Sequence, residues 1–376
     1  MAVASFVLSA LAVILVVVTV LPLFRSGEWW IRMWDFPRLQ LTVAALVTLA
    51  LYGVLEVWRG DPGRWTWGIF AALAVAAVYQ ALRMWPYTPL HKPQTLLADP
   101  AVASPERRLR LMVSNVLMSN REGELWLKTV RDADPDVVVA VETDDWWAET
   151  AGVLKETHPH SVELPQDDTY GMCVYSKLEL VSVEVRHLVE PEVPSLNLVA
   201  RLRSGDDVSL IFLHPRPPRP DIQQDSDLRD AELVLAGRDV AAIDRPVVVA
   251  GDLNDVAWSR STTLFQKLSG LLDPRVGRGT FSTFHADHWY LRYPLDHVFH
   301  SEHFALVHLR RLDNVGSDHF PMLIELEIDP SVMPLQKGLD AEEGDQDEAA
   351  EVVEDAEEFK AEESEAERQE RIEEDV

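Results

Sequence analysis

The chain has 376 residues and a formal net charge of −28, which excludes a protein that binds nucleic acid through a generally basic surface. The charge is uneven: residues 340–376 hold 19 acidic and 3 basic residues, so this segment carries −16 and the other 339 residues carry −12. Cys173 is the only cysteine, which excludes an intramolecular disulfide framework and a zinc site built on cysteines.

Three long apolar stretches open the chain. They cover residues 3–24, 39–57 and 65–85, and each is long enough to cross a bilayer core of about 30 Å at about 1.5 Å per residue. Of the 12 tryptophans, seven fall in the first 85 residues, and tryptophan is enriched where proteins meet the membrane surface. The sequence therefore predicts three transmembrane helices in residues 1–85.

Basic residues beside these stretches predict the orientation of the chain. Five lie on the side of the first loop and the C-terminal region, and two lie on the side of the second loop. The first group is Arg25, Arg32, Arg38, Arg83 and Lys92, and the second is Arg59 and Arg64. The more basic side usually faces the cytoplasm, so we expect an integral membrane protein with a cytoplasmic C-terminal region.

The remaining chain divides into three parts. Proline-rich residues 86–108 predict an extended linker, and residues 109–329 predict one two-layer α/β domain with sheets inside and helices outside. The acidic tail, residues 330–376, has few bulky apolar residues, so we expect it to be disordered or only transiently helical. Predicted strands are Leu109–Val116, Asp136–Glu142, Gly171–Tyr175, Asn197–Leu202, Val208–His214, Val247–Asp252, Leu295–His300 and Pro321–Ile328. Predicted helices are Glu122–Ala133, Asp145–Thr157, Ser226–Ile243 and Ser259–Ser269.

Polar residues recur where the predicted strands end. They are Asn115, Glu142, His214, Asp252, Asn254, Asp296, Asp318 and His319. Any one of them could be an ordinary turn residue, but the ordered recurrence favours a functional site. Carboxylate and amide oxygens suit a hard cation such as Mg²⁺ or Mn²⁺, and such an ion can neutralise phosphoryl oxygens. The pattern predicts metal-assisted hydrolysis of a phosphoester.

Two short motifs are the most specific part of this set: Gly-Asp-Leu-Asn at 251–254 and Gly-Ser-Asp-His at 316–319. With the residues before them they resemble the endonuclease/exonuclease/phosphatase superfamily, which includes DNase I-like nucleases, inositol polyphosphate 5-phosphatases and neutral sphingomyelinases. The resemblance implies a four-layer α/β sandwich, DNase I-like, over residues 109–329. The preceding apolar helices are similar to those of membrane-anchored bacterial members, which implies a bacterial inner membrane.

The resemblance also implies roles at the metal and the water. Glu142 would be the principal ligand of Mg²⁺ or Mn²⁺, with Asn115 beside it and Asp318 assisting. Asp252 would orient and activate the attacking water, and Asn254 would hold the phosphate.

The histidines take the remaining implied roles. Asp296 would keep His319 cationic against the scissile phosphate, and His214 would contact the phosphate or act as a general acid. The residue that accompanies this histidine in the family is not identifiable from the sequence, although Asp168 and Tyr170 are candidates. His297, beside Asp296, is expected to pack in the core, and a second metal at His285 and His288 is the less favoured interpretation of that pair.

Two further segments bear on the substrate. Arg216 and Arg219 could clamp phosphates or could belong to a solvated proline-rich loop. Trp289, Tyr290 and Arg292 could stack bases, touch lipid or cover a sheet edge.

The expected function is a membrane-tethered, metal-dependent phosphoesterase acting on phosphodiester bonds, with nucleic acid as the first substrate class. The alternative substrate is a lipid or inositol phosphate at the membrane surface. A third hypothesis is a non-catalytic membrane scaffold that recruits an unknown partner through the acidic tail.

Overall fold

The computed structural model describes residues 2–24, 26–60, 64–101, 103–217 and 226–374. The chain forms two compact units. Unit 1 comprises Met1–Lys92 and Pro218–Ser226, and unit 2 comprises Pro93–Pro217 and Asp227–Val376.

Unit 1 contains the helices α1 (Ala2–Val20), α2 (Trp29–Arg32), α3 (Arg38–Arg59) and α4 (Arg64–Met84). The three long helices pack through buried small and branched side chains, namely Ala12, Leu15, Val18, Leu41, Ala45, Leu73 and Ala77. The segments Val3–Leu23, Arg38–Arg59 and Trp65–Tyr87 are long and apolar enough to cross a membrane. The prediction of three long apolar helices in this region is confirmed.

The described residues of unit 2 form two β-sheets and five α-helices. The first sheet has the strand order β10-β11-β1-β2-β4-β3, and the second has the order β5-β6-β7-β8-β9. The strands are β1 (Arg108–Asn115), β2 (Val137–Val141), β3 (His160–Leu164), β4 (Met172–Ser176), β5 (Glu179–Arg186), β6 (Ser195–Arg201), β7 (Asp207–Phe212), β8 (Val247–Asp252), β9 (Asp296–His300), β10 (Phe304–Arg311) and β11 (Met322–Ile328). The helices are α5 (Gly123–Ala133), α6 (Asp145–Ala151), α7 (Asp227–Ala241), α8 (Arg260–Ser269) and α9 (Asp345–Glu374).

The two sheets pack face to face between two helical layers. Their inner faces share one apolar core, to which Val113, Val139, Leu210 and Val248 belong. Helices α5 and α6 cover the outer face of the first sheet. Helices α7 and α8 cover the outer face of the second. This is the four-layer α/β sandwich that the family resemblance implied, and the fold class is confirmed; the two-layer arrangement predicted from the strand and helix pattern alone is wrong.

The pairing of neighbouring strands, parallel in one sheet and antiparallel in the other, brings strand ends together at the site. Strand β1 runs parallel to β2 with Asn115 opposite Val141, so Glu142 follows directly beyond the partner strand. In the second sheet, β8 pairs with β9 in an antiparallel register that sets Asp252 opposite Asp296. Polar residues from distant parts of the sequence are therefore gathered at one end of both sheets.

Three strands were not predicted from the sequence. They are β3, β5 and β10, and each is at or next to a sheet edge. Strand β5 is almost entirely exposed, and β10 alternates between half-buried and exposed residues in its second half. Such strands lack the continuous apolar run that marks a strand buried on both faces.

The predicted linker is only partly extended chain. Residues Trp85–Tyr87 and Pro105–Arg107 form short 3-10 helices. Leu97 forms a parallel bridge with Leu306 of β10, and the Thr95 hydroxyl lies 2.8 Å from Nε2 of His300. This part of the predicted linker thus contacts the edge strand β10 of the first sheet and strand β9 of the second.

The acidic tail also differs from the expectation of disorder, because residues 345–374 form helix α9. Its buried Ala349 packs with Val234 and Leu264, and its buried Ala356 packs with Leu228. The few apolar residues of this segment recur at helical spacing, namely Ala349, Val352, Val353, Ala356 and Phe359. An average composition hides such a stripe, which one face of a helix can bury.

Two ion pairs connect the first turns of α9 to α8. Arg260 contacts Glu348 at 2.5 Å, and Lys267 contacts Asp345 at 3.1 Å. The acidity that suggested disorder therefore partly serves to hold the helix against basic residues of its own domain.

Truncation of the chain after Gly344 is expected to lower the free energy of unfolding of unit 2 by about 3 kcal/mol. The physical reason is that truncation removes Val352, Val353 and Phe359 and exposes the apolar surface that they cover. Complete burial of one large apolar side chain contributes roughly 1.5–3 kcal/mol to stability, and these three are partly buried. Thermal unfolding of the purified full chain and the truncated chain in nanodiscs measures the difference. Truncation after Ala361 is the matched control, and a melting temperature unchanged in both truncations would contradict the prediction.

Candidate active site

The site begins with an amide that joins two carboxylates. Asn115, at the end of β1, donates its Nδ2 to Glu142 Oε1 at 2.8 Å and to Asp252 Oδ2 at 2.9 Å. Its Oδ1 accepts from the backbone N–H of Leu117 at 2.9 Å. The amide nitrogen of Asn115 thus links the two carboxylates, and the place of Asn115 beside the metal stays a prediction.

Glu142 follows β2 in an uncommon backbone conformation. Its φ is 62°, in the left-handed region that costs a residue other than glycine about 1 kcal/mol or more. The side chain is half-buried, and Oε2 accepts from the backbone N–H of Met118 at 3.3 Å. The turn thus directs a partly accessible carboxylate back toward Asn115.

Asp252 occupies the centre of the cluster at the end of β8. One carboxylate oxygen accepts from the backbone N–H of Asn254 at 3.0 Å, and the other faces Asn115 and lies 3.6 Å from Nε2 of His319. The preceding Gly251 has a φ of 148°, and a Cβ there would lie 1.9 Å from the carbonyl oxygen of Leu213. Only glycine fits this position, which explains the first residue of the Gly-Asp-Leu-Asn motif.

His319 lies between two aspartates. Its Nδ1 is 2.7 Å from Asp296 Oδ2, and Nε2 faces Asp252. Ser317, which the sequence analysis did not single out, accepts from the backbone N–H of His319 at 3.0 Å and donates to the carbonyl oxygen of Asn115 at 2.8 Å. Thr283 accepts from the backbone N–H of Asp296 at 3.2 Å. These two hydroxyls fix the backbone positions of His319 and Asp296 relative to each other.

Electrostatics in this buried cluster favour a protonated His319. Burial by itself lowers the pKa of His319, but the carboxylates of Asp296 and Asp252 outweigh burial and raise it to about 10. Burial raises the pKa of Asp252, but His319 and His214 outweigh burial and bring it below its usual value. The pKa of Asp296 is raised, first by burial and then by Asp252. At neutral pH the cluster therefore presents an imidazolium beside an ionised Asp252.

The donor set fits a divalent cation. Glu142 and Asp252 are linked through Asn115, and hard oxygen ligands of this kind suit Mg²⁺ or Mn²⁺. Within the described part of the chain, the group of acids and histidines that lies close enough to hold an ion is Asp252, Asp296 and His319. Because Asp296 and His319 already bind each other, we regard Asp252 as the member of that group best placed to share an ion with Glu142. The half-buried Asp318 is near enough to contribute to the raised pKa of His319.

Asn254 lies in the loop after β8, with a φ of 52°. Its Nδ2 donates to the carbonyl oxygen of Pro215 at 3.0 Å, which links the loop to the segment after β7. Its own carbonyl oxygen accepts from the buried Arg229 at 2.9 Å. Arg229, which the sequence analysis did not single out, belongs to α7 and fixes the backbone of this loop.

The His214 region is identified more clearly by the structure than by the sequence. The rings of His214 and Tyr170 have centroids 5.9 Å apart, and both side chains are buried. Arg216 lies over the Tyr170 ring at 5.3 Å and pairs with Glu190 at 3.0 Å. Tyr170, a candidate from the sequence for the residue that accompanies His214, thus lies beside it, and its role stays a prediction. Arg219 lies outside the described residues.

His297 packs below the site, as the sequence analysis expected. It is fully buried, and Arg275 donates to its Nδ1 at 2.7 Å while Nε2 faces the carbonyl oxygen of Asp255 at 2.9 Å. Burial and the Arg275 cation hold the pKa of His297 well below its usual range. A neutral imidazole in this position supports the loop backbone, while the cationic imidazole of His319 faces the site.

Comparison with known families gives the site its context. Residues 112–319 match the model of the Endonuclease/Exonuclease/phosphatase family, over more than half of the chain. The chain belongs to this family. Members of the family are phosphoester hydrolases, and the matched region includes every residue of the cluster described above.

Two solved structures with TM-scores of 0.50 show the same fold. Humanized D. rerio TDP2 is 16% identical with a TM-score of 0.50, over 59% of this chain and 99% of that chain. The human Nocturnin catalytic domain with bound sulfate is 15% identical with a TM-score of 0.50, over 60% and 97%. A family member from Beutenbergia cavernae is 21% identical with a TM-score of 0.46, over 59% and 72%. A search of the curated proteins finds no match.

The remaining predicted substrate residues lie in the loop before β9. Trp289 and Tyr290 are exposed, whereas the Arg292 guanidinium lies over the Phe320 ring at 5.0 Å and donates to the carbonyl oxygen of Ala286 at 3.2 Å. The two aromatic side chains are therefore accessible, and Arg292 is already engaged within the loop.

Proposed function

We propose that this protein is a membrane-tethered, metal-dependent phosphoesterase that hydrolyses phosphodiester bonds. The observation that carries the proposal is the position of Asp252, which lies 2.9 Å from the Asn115 amide and 3.6 Å from His319. The same carboxylate oxygen, Oδ2, accepts from the Asn115 amide, which also donates to the proposed metal ligand Glu142, and faces the imidazolium of His319. Family membership supports the same reaction class.

The chain's own groups suit hydrolysis by water. Asp252 stays ionised, so it can accept a hydrogen bond from a water molecule. This hydrogen bond orients the water so that a lone pair of the water oxygen points toward phosphorus. As the new P–O bond forms, the ester P–O bond breaks, the water proton passes to Asp252, and the leaving oxygen takes a proton from His214 or solvent. His319 offers Nε2–H to a phosphoryl oxygen, where the developing negative charge is greatest.

Glu142 and Asp252 would hold the divalent cation, with Asp318 nearby. When bound, such an ion supplies Lewis acidity to a phosphoryl oxygen and offsets the charge of the carboxylates. Asn254, His214 and His319 would orient that phosphate. These assignments of Glu142, Asp318, Asn254 and His214 remain proposals.

Two substrate classes follow from the sequence, nucleic acid and a lipid or inositol phosphate. A polyanionic strand needs free basic residues along its path. The described arginines around the site are already engaged: Arg216 with Glu190, Arg121 with Asp144, and Arg311 with the carbonyl oxygen of Ser282. This arrangement favours a small phosphoester head group over a long strand.

Removal of divalent metal is expected to abolish turnover, because Glu142 and Asp252 would then repel an anionic substrate. The full chain in nanodiscs should be assayed in Mg²⁺, Mn²⁺ and EDTA against plasmid DNA, single-stranded DNA, RNA, phosphoinositides and sphingomyelin. Restoration of turnover by Mg²⁺ or Mn²⁺ after EDTA completes the test. Undiminished hydrolysis in EDTA would contradict metal dependence, and the absence of turnover on every substrate would favour the scaffold hypothesis.

For the membrane tether, we propose that α1, α3 and α4 cross a bacterial inner membrane and leave unit 2 in the cytoplasm. The support is the length of these helices and the basic residues beside them. A reporter fused after Met84 is expected to behave as cytoplasmic. A periplasmic signal from that fusion would reverse the proposed orientation without affecting the chemistry of the site.

A further inference from the structure

A row of ring contacts leads from the buried catalytic histidine to the protein surface. Phe284 lies 5.0 Å from the His319 ring, centroid to centroid, and 4.9 Å from His285. His285 and His288 are 4.4 Å apart, His288 and Tyr290 are 5.7 Å apart, and Tyr290 and Trp289 are 5.8 Å apart. The rings that form this row, called here the aromatic ridge, are Phe284, His285, His288, Tyr290 and Trp289.

The ridge ends in three adjacent exposed apolar side chains. Trp289 is 78% exposed, Tyr290 is 51% exposed and Leu291 is 39% exposed. We call these three residues the tip. Single exposed apolar residues are common on soluble proteins, but a contiguous group of this size beside an active site marks an interaction surface.

Backbone hydrogen bonds hold the tip in its exposed position. Leu291 accepts from the backbone N–H of His285 at 2.9 Å and donates to the carbonyl oxygen of His288 at 2.9 Å. At the base of the loop, the backbone N–H of Ala286 donates to the carbonyl oxygen of Asp318 at 2.6 Å. The loop that displays the tip is thus bonded directly to the residue that precedes His319.

The chemistry of the tip fits a lipid surface better than nucleic acid. Leu291 has no π-face for a base to stack on, and the adjoining Asp287 would repel a phosphate backbone. Arg292 and Arg311 both lie over the Phe320 ring, where their cations are occupied. Trp, Tyr and Leu together suit the boundary between lipid head groups and acyl chains. Because the same chain has three helices long enough to cross a membrane, a bilayer is a partner at high effective concentration.

We propose that Trp289, Tyr290 and Leu291 insert into the head-group region of a lipid bilayer and bring the site to phosphoesters at that surface. The substrate part of this inference rests on the proposed phosphoesterase function, whereas insertion of the tip does not. Arg292 is not part of this contact with lipid, although the sequence grouped it with Trp289 and Tyr290.

The experiment uses the full chain in nanodiscs with an environment-sensitive fluorophore on Leu291→Cys. The native Cys173 is buried, and burial raises the pKa of its thiol, so labelling is directed to the new cysteine. The expected result is a blue-shifted emission that nitroxide-labelled lipids quench and aqueous iodide does not. Adding Trp289→Ser in the labelled chain should lower the equilibrium constant for insertion of the tip by about tenfold, because one large apolar group no longer enters the lipid.

A matched control places the same fluorophore on Asp132→Cys, whose side chain is 65% exposed at the far end of α5. Its emission should stay quenchable by iodide in nanodiscs. Labelled Leu291→Cys combined with Asp252→Asn should insert as well as the parent, which separates failure of the tip from failure of the enzyme. Quenching by iodide alone at position 291 would overturn the inference. Protection of position 291 by a single-stranded oligonucleotide but not by lipid would overturn it in favour of base stacking.

Discussion

Replacing Asp252 by Asn is expected to lower the rate of phosphoester hydrolysis by about 10³-fold or more, because one side chain serves several parts of the site. The amide keeps the size of the carboxylate but removes the negative charge that faces His319 Nε2 at 3.6 Å and the charge available to a cation. In the parent, Asp252 accepts a hydrogen bond from Asn115 Nδ2 at 2.9 Å. The amide of the variant can turn its NH₂ group toward Asn115, and this hydrogen bond is then lost. Single-turnover rates with saturating metal measure the loss.

The control for Asp252→Asn is Asp132→Asn, the same chemical change at an exposed position paired only with Lys128 among the described contacts. That variant should keep the parental rate. Metal titration separates two causes: a shifted metal requirement points to lost ligation, while an unchanged requirement with a lower maximal rate points to lost water activation. An Asp252→Asn variant with parental rate and metal requirement would remove this residue from the mechanism.

Replacing Asp296 by Asn is expected to change the pH profile more than the metal requirement. The parental His319 has a pKa raised to about 10, chiefly by Asp296 against the opposing effect of burial, so the imidazolium persists through neutral and mildly alkaline pH. Without the Asp296 charge, only Asp252 and Asp318 oppose the effect of burial, so the pKa of His319 falls and the cation is lost as pH rises through a lower value. The rate should therefore fall by about 10²-fold at pH 8 and recover partly as pH decreases.

The rate of Asp296→Asn should be measured from pH 5.5 to 9.5 beside the parent and beside Thr283→Val. The Thr283→Val variant removes only the hydroxyl that accepts from the Asp296 backbone at 3.2 Å, so it should slow the reaction without adding a new alkaline limb. If Asp296→Asn lowers the rate equally at every pH, the aspartate orients His319 rather than setting its charge.

The apolar patterns of the sequence predict most of the central structure. The strands nearest the middle of each sheet, β1, β2, β7 and β8, are continuous apolar runs because both of their faces are covered. Exposed strands such as β5 carry no such run, so they were missed. Average composition also misled for α9, where a narrow apolar stripe is sufficient to dock an otherwise acidic helix.

The sequence by itself determined the α/β class, the three long apolar helices and the candidate polar residues, because short-range periodicity and local motifs encode them. The four-layer arrangement followed from the family resemblance. Only the tertiary structure decided how those residues meet. Asp252 and Asp296 are 44 positions apart and become neighbours through the antiparallel register of β8 and β9. The inward-turned amide of Asn115 and the pairing of Tyr170 with His214 depend on contacts between separate strands and loops. Such contacts leave no periodic trace along the chain, because their geometry is set by the packing of the whole domain.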